Sequence, residues 1–105
     1  MSSVNLLQVI LDHKVSIRST LSELRINSLS QSSDTEAVKS VNSIIQVNVQ
    51  LLTAYLDGTD TTTSKIPQIL GELSSLESQL KELGPAHPNG TEIITGIKAL
   101  EAILS

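Results

Sequence analysis

The sequence predicts an all-α fold, a small up-down bundle of four helices that forms a single domain over residues 1–105. Three observations support this prediction. Apolar residues recur at alternating steps of three and four along four segments, as they do on one face of an α-helix. Short runs rich in Ser, Thr, Asp, Gly and Pro separate these segments. The hydrophobic fraction is 39% but Tyr55 is the sole aromatic residue, so the core must be built from aliphatic side chains.

The first predicted helix covers residues 4–29 and has a wide apolar face. Its apolar residues form two adjacent stripes, one with Leu7, Ile10, Ile17, Leu21 and Leu24 and the other with Leu11, Val15, Ile26 and Leu29. A face of that width exceeds what a single neighbouring helix covers. The polar run SLSQSSD then ends the helix.

The second predicted helix covers residues 34–56. Ser33 and Glu36 match a capping box at its start, and Asp57-Gly58 match a helix end. Within it, the segment IQVNVQL alternates apolar and amide residues as a β-strand does. The helical spacing continues for ~20 residues, much longer than this alternation, so the sequence predicts helix here.

Asn48 occupies an apolar seam position of the second helix, and three interpretations of it remain open. It is a buried polar residue that fixes register and oligomeric state, or a rim residue partly in water, or part of a ligand pocket between subunits. Gln46 and Gln50 are the other candidates for that pocket. We expect both glutamines to flank the buried sector.

The third and fourth predicted helices cover residues 65–83 and 91–104. Pro67 fits the first turn of the third helix, where its missing N–H costs little, and Gly84-Pro85 ends that helix. Thr91 is the predicted N-cap of the fourth helix. Small side chains that permit close packing follow at Gly96, Ala99 and Ala102.

Charge and composition argue against several classes of partner. The net charge is −4 and the seven Lys and Arg residues are scattered singly, so nucleic-acid and membrane-surface binding are not expected. The sequence has no cysteine. None of its apolar stretches approaches the length of about 18 residues that a membrane span requires, and no basic segment precedes the first apolar run. We therefore expect a cytoplasmic or virion-associated protein without signal peptide or transmembrane segment, from a phage or bacterial source.

The sequence also predicts a protein that is not an enzyme and that holds no cofactor or metal. Its two histidines are His13, which follows Asp12 and diverges from it on a helix, and His87, expected to pack over the end of the bundle from a loop. No Glu-x-x-His pair, G-x-S-x-G elbow or glycine-rich phosphate loop occurs. The DGTD turn lacks the further oxygen ligands of a calcium loop.

The wide faces of the first two helices predict self-association. These helices outreach the fourth by several turns, so a monomer would leave large aliphatic side chains in water at a cost of about 1.5–3 kcal/mol each. The principal hypothesis is an interaction or assembly module that binds a copy of itself and another protein. The predicted interface consists of Leu11, Val15, Ile44, Asn48, Leu51 and Tyr55.

The alternative hypothesis is a sponge or sensor for a small anionic, nucleotide-like ligand bound between subunits. Lys14, Arg18 and Arg25 follow one flank of the first helix and are the candidate anion-binding residues. Asn48 and Tyr55 are further candidate contacts. The tail TEIITGIKALEAIL, about a seventh of the chain, resembles the closing helix of phage anti-CBASS sponges, helical oligomers that sequester cyclic nucleotides. The shared features are Thr91, Gly96 and Ala99-Leu100, while the basic-aromatic motif is missing.

Overall fold

The computed structural model describes residues 6–105 and confirms the all-α prediction, because this part of the chain contains helices and no β-strand. It holds five α-helices rather than the four predicted. These are α1 (Leu6–Asp12), α2 (Lys14–Asn27), α3 (Glu36–Leu56), α4 (Ile66–Leu83) and α5 (Gly90–Leu104), with short 3₁₀ turns at Thr63–Lys65 and Gly84–Ala86. Residues 4 and 5, the start of the first predicted helix, lie outside the described residues.

The extra helix arises because the first predicted helix is divided at His13. The backbone of His13 (φ −113°, ψ 26°) departs from helical values. Its Nδ1 donates to the carbonyl of Val9 at 3.0 Å, and its own backbone N–H binds the same oxygen. A side chain that competes for a carbonyl of the preceding turn distorts a helix locally. The bond from the Ile17 N–H to the His13 carbonyl resumes the helical pattern directly afterwards.

α3 begins at Glu36, and its N-cap is Thr35 rather than the predicted Ser33. The Thr35 hydroxyl accepts the Val38 N–H at 3.3 Å. Asp34 stays outside the helix because its carboxylate accepts the Gln31 N–H at 2.7 Å and closes the preceding turn. The predicted capping box is therefore wrong. The helix end at residue 56 and the helical conformation of the IQVNVQL segment are confirmed.

The remaining helix ends follow from local hydrogen bonds and glycine geometry. α2 ends at Asn27, and the hydroxyl and the backbone N–H of Ser28 both bind the Leu24 carbonyl, at 2.7 and 3.1 Å. α4 ends as predicted at Gly84, whose positive φ of 52° suits a residue without Cβ. α5 starts one residue earlier than predicted, so Thr91 lies inside the helix and is not its cap.

α2, α3, α4 and α5 form a closed ring of neighbours in which α2 packs on both α3 and α5, and α4 does the same from the opposite side. α1 adds contacts to α3 and α5. The core between them is aliphatic apart from Tyr55, as the composition predicts, and six of its residues are fully enclosed: Ile45, Ile66, Leu73, Ile93, Ile97 and Leu100. Among the described residues, none of the helices is both long and apolar enough to cross a membrane.

Candidate functional site

The side of α1 and α2 that faces away from the core carries large aliphatic side chains in water. We name Leu11 of α1, Val15 and Ile26 of α2, and Leu29 just beyond the end of α2 the outer face. Their exposed fractions are 45%, 85%, 56% and 57%. The first apolar stripe of this segment enters the core through Ile10, Ile17, Leu21 and Leu24. The second stripe therefore remains without a partner in the single chain.

The outer face has a regular helical arrangement within α2. Val15, Ser19, Ser22 and Ile26 follow one another at steps of four, three and four, so they share a narrow strip at about 100° per residue. All four residues are exposed. The strip is therefore apolar at both ends and small and polar in the middle.

α3 carries a second, smaller exposed patch. Val47 is 53% exposed and Leu51 is 38% exposed, and their spacing of four residues places them on the same side of the helix. Ile44, also in the predicted interface, is partly buried and packs against the core. Of the six predicted interface residues, three are exposed: Leu11, Val15 and Leu51.

The structure does not place Asn48 and Tyr55 on the surface, because each is 1% exposed. The Asn48 amide donates to the Ile44 carbonyl at 3.0 Å and to Glu72 Oε1 on α4 at 3.2 Å. The Tyr55 hydroxyl donates to the Thr62 carbonyl. Burial and the neighbouring Asp60 carboxylate raise the pKa of Tyr55. Both polar groups are used within the chain, and the interpretation of Asn48 as a rim residue is wrong.

Two of the three predicted anion-binding residues meet at one groove. Arg18 and Arg25 line a groove of about 160 Å³ between α2 and α3, together with the hydroxyl-bearing residues Ser22 and Thr53. Its apolar lining consists of Leu21, Val49 and Leu56. Lys14 is not part of this groove, and lines a neighbouring surface depression with Val15 and Arg18.

Arg18 already has an acidic partner in the single chain. Its guanidinium donates to Asp57 Oδ1, at the end of α3, at 3.1 Å. The two side chains are 50% and 51% exposed, and an ion pair in that setting contributes little and exchanges readily with other partners. The groove therefore has two cationic side chains available at its edge.

A buried polar network lies at the end of the bundle where α2 ends and α5 begins. His87 is 4% exposed, and its Nε2 binds Asn42 Oδ1 at 2.7 Å. The Asn42 amide donates to the Ser30 hydroxyl at 3.1 Å, and the Asn89 backbone N–H donates to His87 Nδ1 at 3.2 Å. Burial lowers the pKa of His87, while the carboxylates of Asp34 and Glu92 act in the opposite direction.

The amide of Gln46 completes this end of the molecule. It donates to the Arg25 carbonyl at 2.9 Å and to the Ser28 hydroxyl at 2.7 Å, which satisfies the open C-terminus of α2 from α3. Gln46 is half-buried and Gln50 is exposed. The three amides of IQVNVQL therefore lie in three different environments: Gln46 is half-buried, Asn48 is buried and Gln50 is exposed.

Two further hollows lie elsewhere in the described part of the chain. A cleft of about 550 Å³ at the α4–α5 turn has Lys81, His87 and Thr91 among its lining residues, but the His87 ring is held by the network. A depression of about 360 Å³ between α2 and α5 is lined by short polar side chains and by Gly96 and Ala99. Within residues 6–105, no three or more His, Asp or Glu side chains come together in a way that could hold a metal ion.

Comparisons with known proteins identify no relative of this chain: no family model matches the sequence, and neither a curated protein nor a solved structure shows significant similarity to it.

Proposed function

We propose that this protein is a non-enzymatic assembly module that associates with a second copy of itself through the outer face and presents a further helical surface to another protein. The observation that carries the proposal is the exposure of the outer face. Val15 is 85% exposed, while Ile17, Leu21 and Leu24 of the same helix are buried. Scattered exposed aliphatic residues are ordinary, but several on one side of successive helices are typical of an interaction site.

The smaller patch of Val47 and Leu51 is the proposed surface for a different protein. It lies on α3, whose core side is occupied by α2 and α4. Two exposed residues of this size provide a modest anchor, suited to a reversible contact. The two surfaces lie on different helices, so one can be changed without the other.

Sedimentation velocity over a range of protein concentrations tests the self-association. We expect the wild-type chain to form a dimer as the concentration rises, and Val15→Ser to shift that equilibrium towards monomer. Val47→Ser is the matched control, because it makes the same substitution at an exposed valine outside the outer face. A wild-type chain that stays monomeric at all accessible concentrations contradicts the proposal.

A second candidate function is binding of a small oxyanion in the groove between α2 and α3. The specific observation is the convergence of Arg18 and Arg25 with two hydroxyl-bearing residues on one groove. At about 160 Å³ the groove is smaller than the about 300–1,000 Å³ of typical small-molecule sites. A phosphate group fits this description better than a whole nucleotide does.

Titration with inorganic phosphate, followed by NMR, tests this candidate. We expect amide signals of residues around Ser22 and Thr53 to shift with phosphate, and Arg25→Ala to remove the response. Lys98→Ala, at an exposed position of α5, is the control that removes one positive charge elsewhere. Equal responses in the two variants contradict the groove as the binding site.

A further inference from the structure

We infer that two copies pair through the outer face in parallel, with Arg18 of each copy opposite Glu23 of the other. This inference rests on the proposed self-association and specifies its geometry. It follows from the position of the charged residues relative to the strip formed by Val15, Ser19, Ser22 and Ile26. Both orientations of the pair would bury this strip, so the flanking charges decide between them.

The two flanks of the strip carry opposite charge. At about 100° per residue, Arg18 and Arg25 lie on the flank towards α3, in agreement with their place at the α2–α3 groove. Glu23 lies on the flank towards α5, in agreement with its place in the depression between α2 and α5. Arg18, Glu23 and Arg25 are all exposed.

A parallel pair brings unlike flanks together. In a parallel two-stranded coiled coil, the residue just before one seam position faces the partner residue five positions later, and this is where salt bridges between helices form. Taking Val15, Ser19, Ser22 and Ile26 as the seam, Arg18 and Glu23 occupy these two positions. The two-fold symmetry of the pair then creates the Arg18–Glu23 contact twice.

An antiparallel pair has the opposite consequence. It places the α3-side flanks of the two copies next to each other. The cations Lys14, Arg18 and Arg25 of one copy would then face this same group of cations on the partner. Like charges placed opposite one another across an interface cost several kcal/mol. The unliganded chain therefore favours the parallel pair, and an antiparallel pair would need a bound anion among its cations.

The composition of the seam makes these charges decisive. Two of its four residues within α2 are serines, so its apolar contact is small and its association is weak and reversible. Arg18 also keeps its contact with Asp57 in the single chain at 3.1 Å, and a guanidinium with five N–H donors can serve both carboxylates. The charge pairs then set the orientation, and the aliphatic residues supply the attraction.

Charge reversal tests the pairing directly. We expect Arg18→Glu alone and Glu23→Arg alone each to weaken self-association about tenfold or more, because each homodimer then has two like-charge pairs. An equimolar mixture of the two variants restores association, since both pairs are complementary in the heterodimer. The matched control is Lys81→Glu mixed with Glu82→Lys, two exposed residues of α4, which reproduces the net charges without the pairing.

Disulfide cross-linking provides a measurement that does not depend on charge. The natural chain has no cysteine, so each variant carries one thiol. In a parallel pair the two copies of Val15→Cys are adjacent and cross-link with each other. In an antiparallel pair Val15→Cys links to Ile26→Cys instead, because equal positions are then about 16 Å apart along the helices. Val47→Cys, outside the outer face, gives the background level.

The outcomes separate the geometry from the function. Restored association in the mixture and cross-linking of Val15→Cys with itself support the parallel pair. If the wild type dimerises but Val15→Cys cross-links only with Ile26→Cys and not with itself, the parallel pair is overturned and the proposed function still stands. A wild-type chain that is monomeric throughout overturns both.

Discussion

His87 joins three parts of the chain through one imidazole ring. Its Nδ1 accepts the backbone N–H of Asn89 at 3.2 Å, so the proton of the neutral ring lies on Nε2 and is donated to Asn42 Oδ1 at 2.7 Å. Asn42 in turn holds Ser30 in the loop between α2 and α3. A second proton on the ring would point at an N–H group, so this arrangement requires the neutral form.

We predict that the protein loses stability in mildly acidic solution through His87. Burial lowers the pKa of His87 from the ordinary value of 6.5. Below that pH the unfolded chain binds a proton that the folded chain resists, so the free energy of unfolding falls as the pH falls from about 6.5 to the lowered pKa. Asp34 and Glu92 limit the effect because their carboxylates favour the imidazolium.

Urea denaturation between pH 5 and pH 7.5 measures this effect. His87→Gln keeps an amide donor but cannot titrate, so its stability curve should be flatter than that of the wild type over this range. At pH 7.5 we expect it to be less stable by about 1–2 kcal/mol, because a glutamine amide does not reproduce the geometry of both ring contacts, with Asn42 and with the Asn89 N–H. Parallel pH curves for the two proteins would show that His87 is not the responsible group.

Asn48 provides a second prediction at this scale, since its partners lie in the same chain. In Asn48→Leu the Ile44 carbonyl keeps its helical N–H, and Glu72, which is exposed, returns to water. No buried polar group is left without a partner, so we expect a gain of about 1 kcal/mol in stability and an unchanged oligomeric state. Asn48→Asp, which places a carboxylate beside Glu72, should instead lose stability. A change of stoichiometry in Asn48→Leu would restore the interpretation of Asn48 as a register-fixing interface residue.

At the scale of the helices, Gly96 sets the distance between α5 and α2. A Cβ atom built on Gly96 would lie 2.8 Å from Leu24 Cδ2 and 3.1 Å from Leu24 Cγ. Leu24 is 1% exposed and belongs to the core, so it has little room to move. Ala99 lies with Gly96 along the depression between the two helices, as the sequence predicts for its small residues, whereas Ala102 is exposed.

We predict that substitutions at Gly96 destabilise the protein in proportion to their size. Gly96→Val should cost about 1–3 kcal/mol from overpacking, and Gly96→Ala less, because alanine regains about 1 kcal/mol of helix propensity. Gly71→Ala is the matched control. Gly71 lies within α4 with nothing within 4 Å of an added Cβ, so it should gain about 1 kcal/mol. Equal effects of Ala at the two positions in chemical denaturation would contradict a close contact at Gly96.

The helices themselves could be predicted from the sequence because apolar spacing and glycine or proline stops are local signals. Residues 45–51 are helical, since the long helical spacing outweighs a short alternation that has no turn beside it. The break at His13 could not be predicted, because it depends on the ring reaching the Val9 carbonyl. The choice of Thr35 over Ser33 as N-cap likewise depends on Asp34 closing the preceding turn.

The candidate site could be predicted only in part, for a related reason. The double stripe of the first helix shows that Leu11 and Val15 are surplus apolar residues, and both are exposed. Periodicity does not show which stripe enters the core, so the sequence also predicts Asn48 and Tyr55 at the interface, although each is 1% exposed. Asn42 and His87 are far apart in the sequence, and only the packing of the helices brings them together.

At the scale of the whole molecule, polar groups inside and apolar groups outside have different roles. Within residues 6–105, every buried side-chain nitrogen and oxygen atom has a hydrogen-bond partner. The buried polar side chains are therefore satisfied within a single chain, and we expect the bundle to fold without a second copy. The proposed association through the outer face would then add stability by mass action instead of completing an unfinished core.

Because the core of the single chain is separate from the outer face, we predict that the unfolding temperature depends on protein concentration only when the outer face is intact. If the dimer persists at the transition, the unfolding temperature of the wild type should rise by ~3 °C for each tenfold increase in concentration, because dissociation and unfolding are then coupled. Differential scanning calorimetry of the wild type, Val15→Ser and Val47→Ser measures the effect.

Val15→Ser should unfold at a temperature that does not vary with concentration and that matches the wild type at high dilution, since the core is unchanged. Val47→Ser should follow the wild type. A Val15→Ser variant that unfolds far below the dilute wild type would show instead that the outer face is needed for the fold of the single chain.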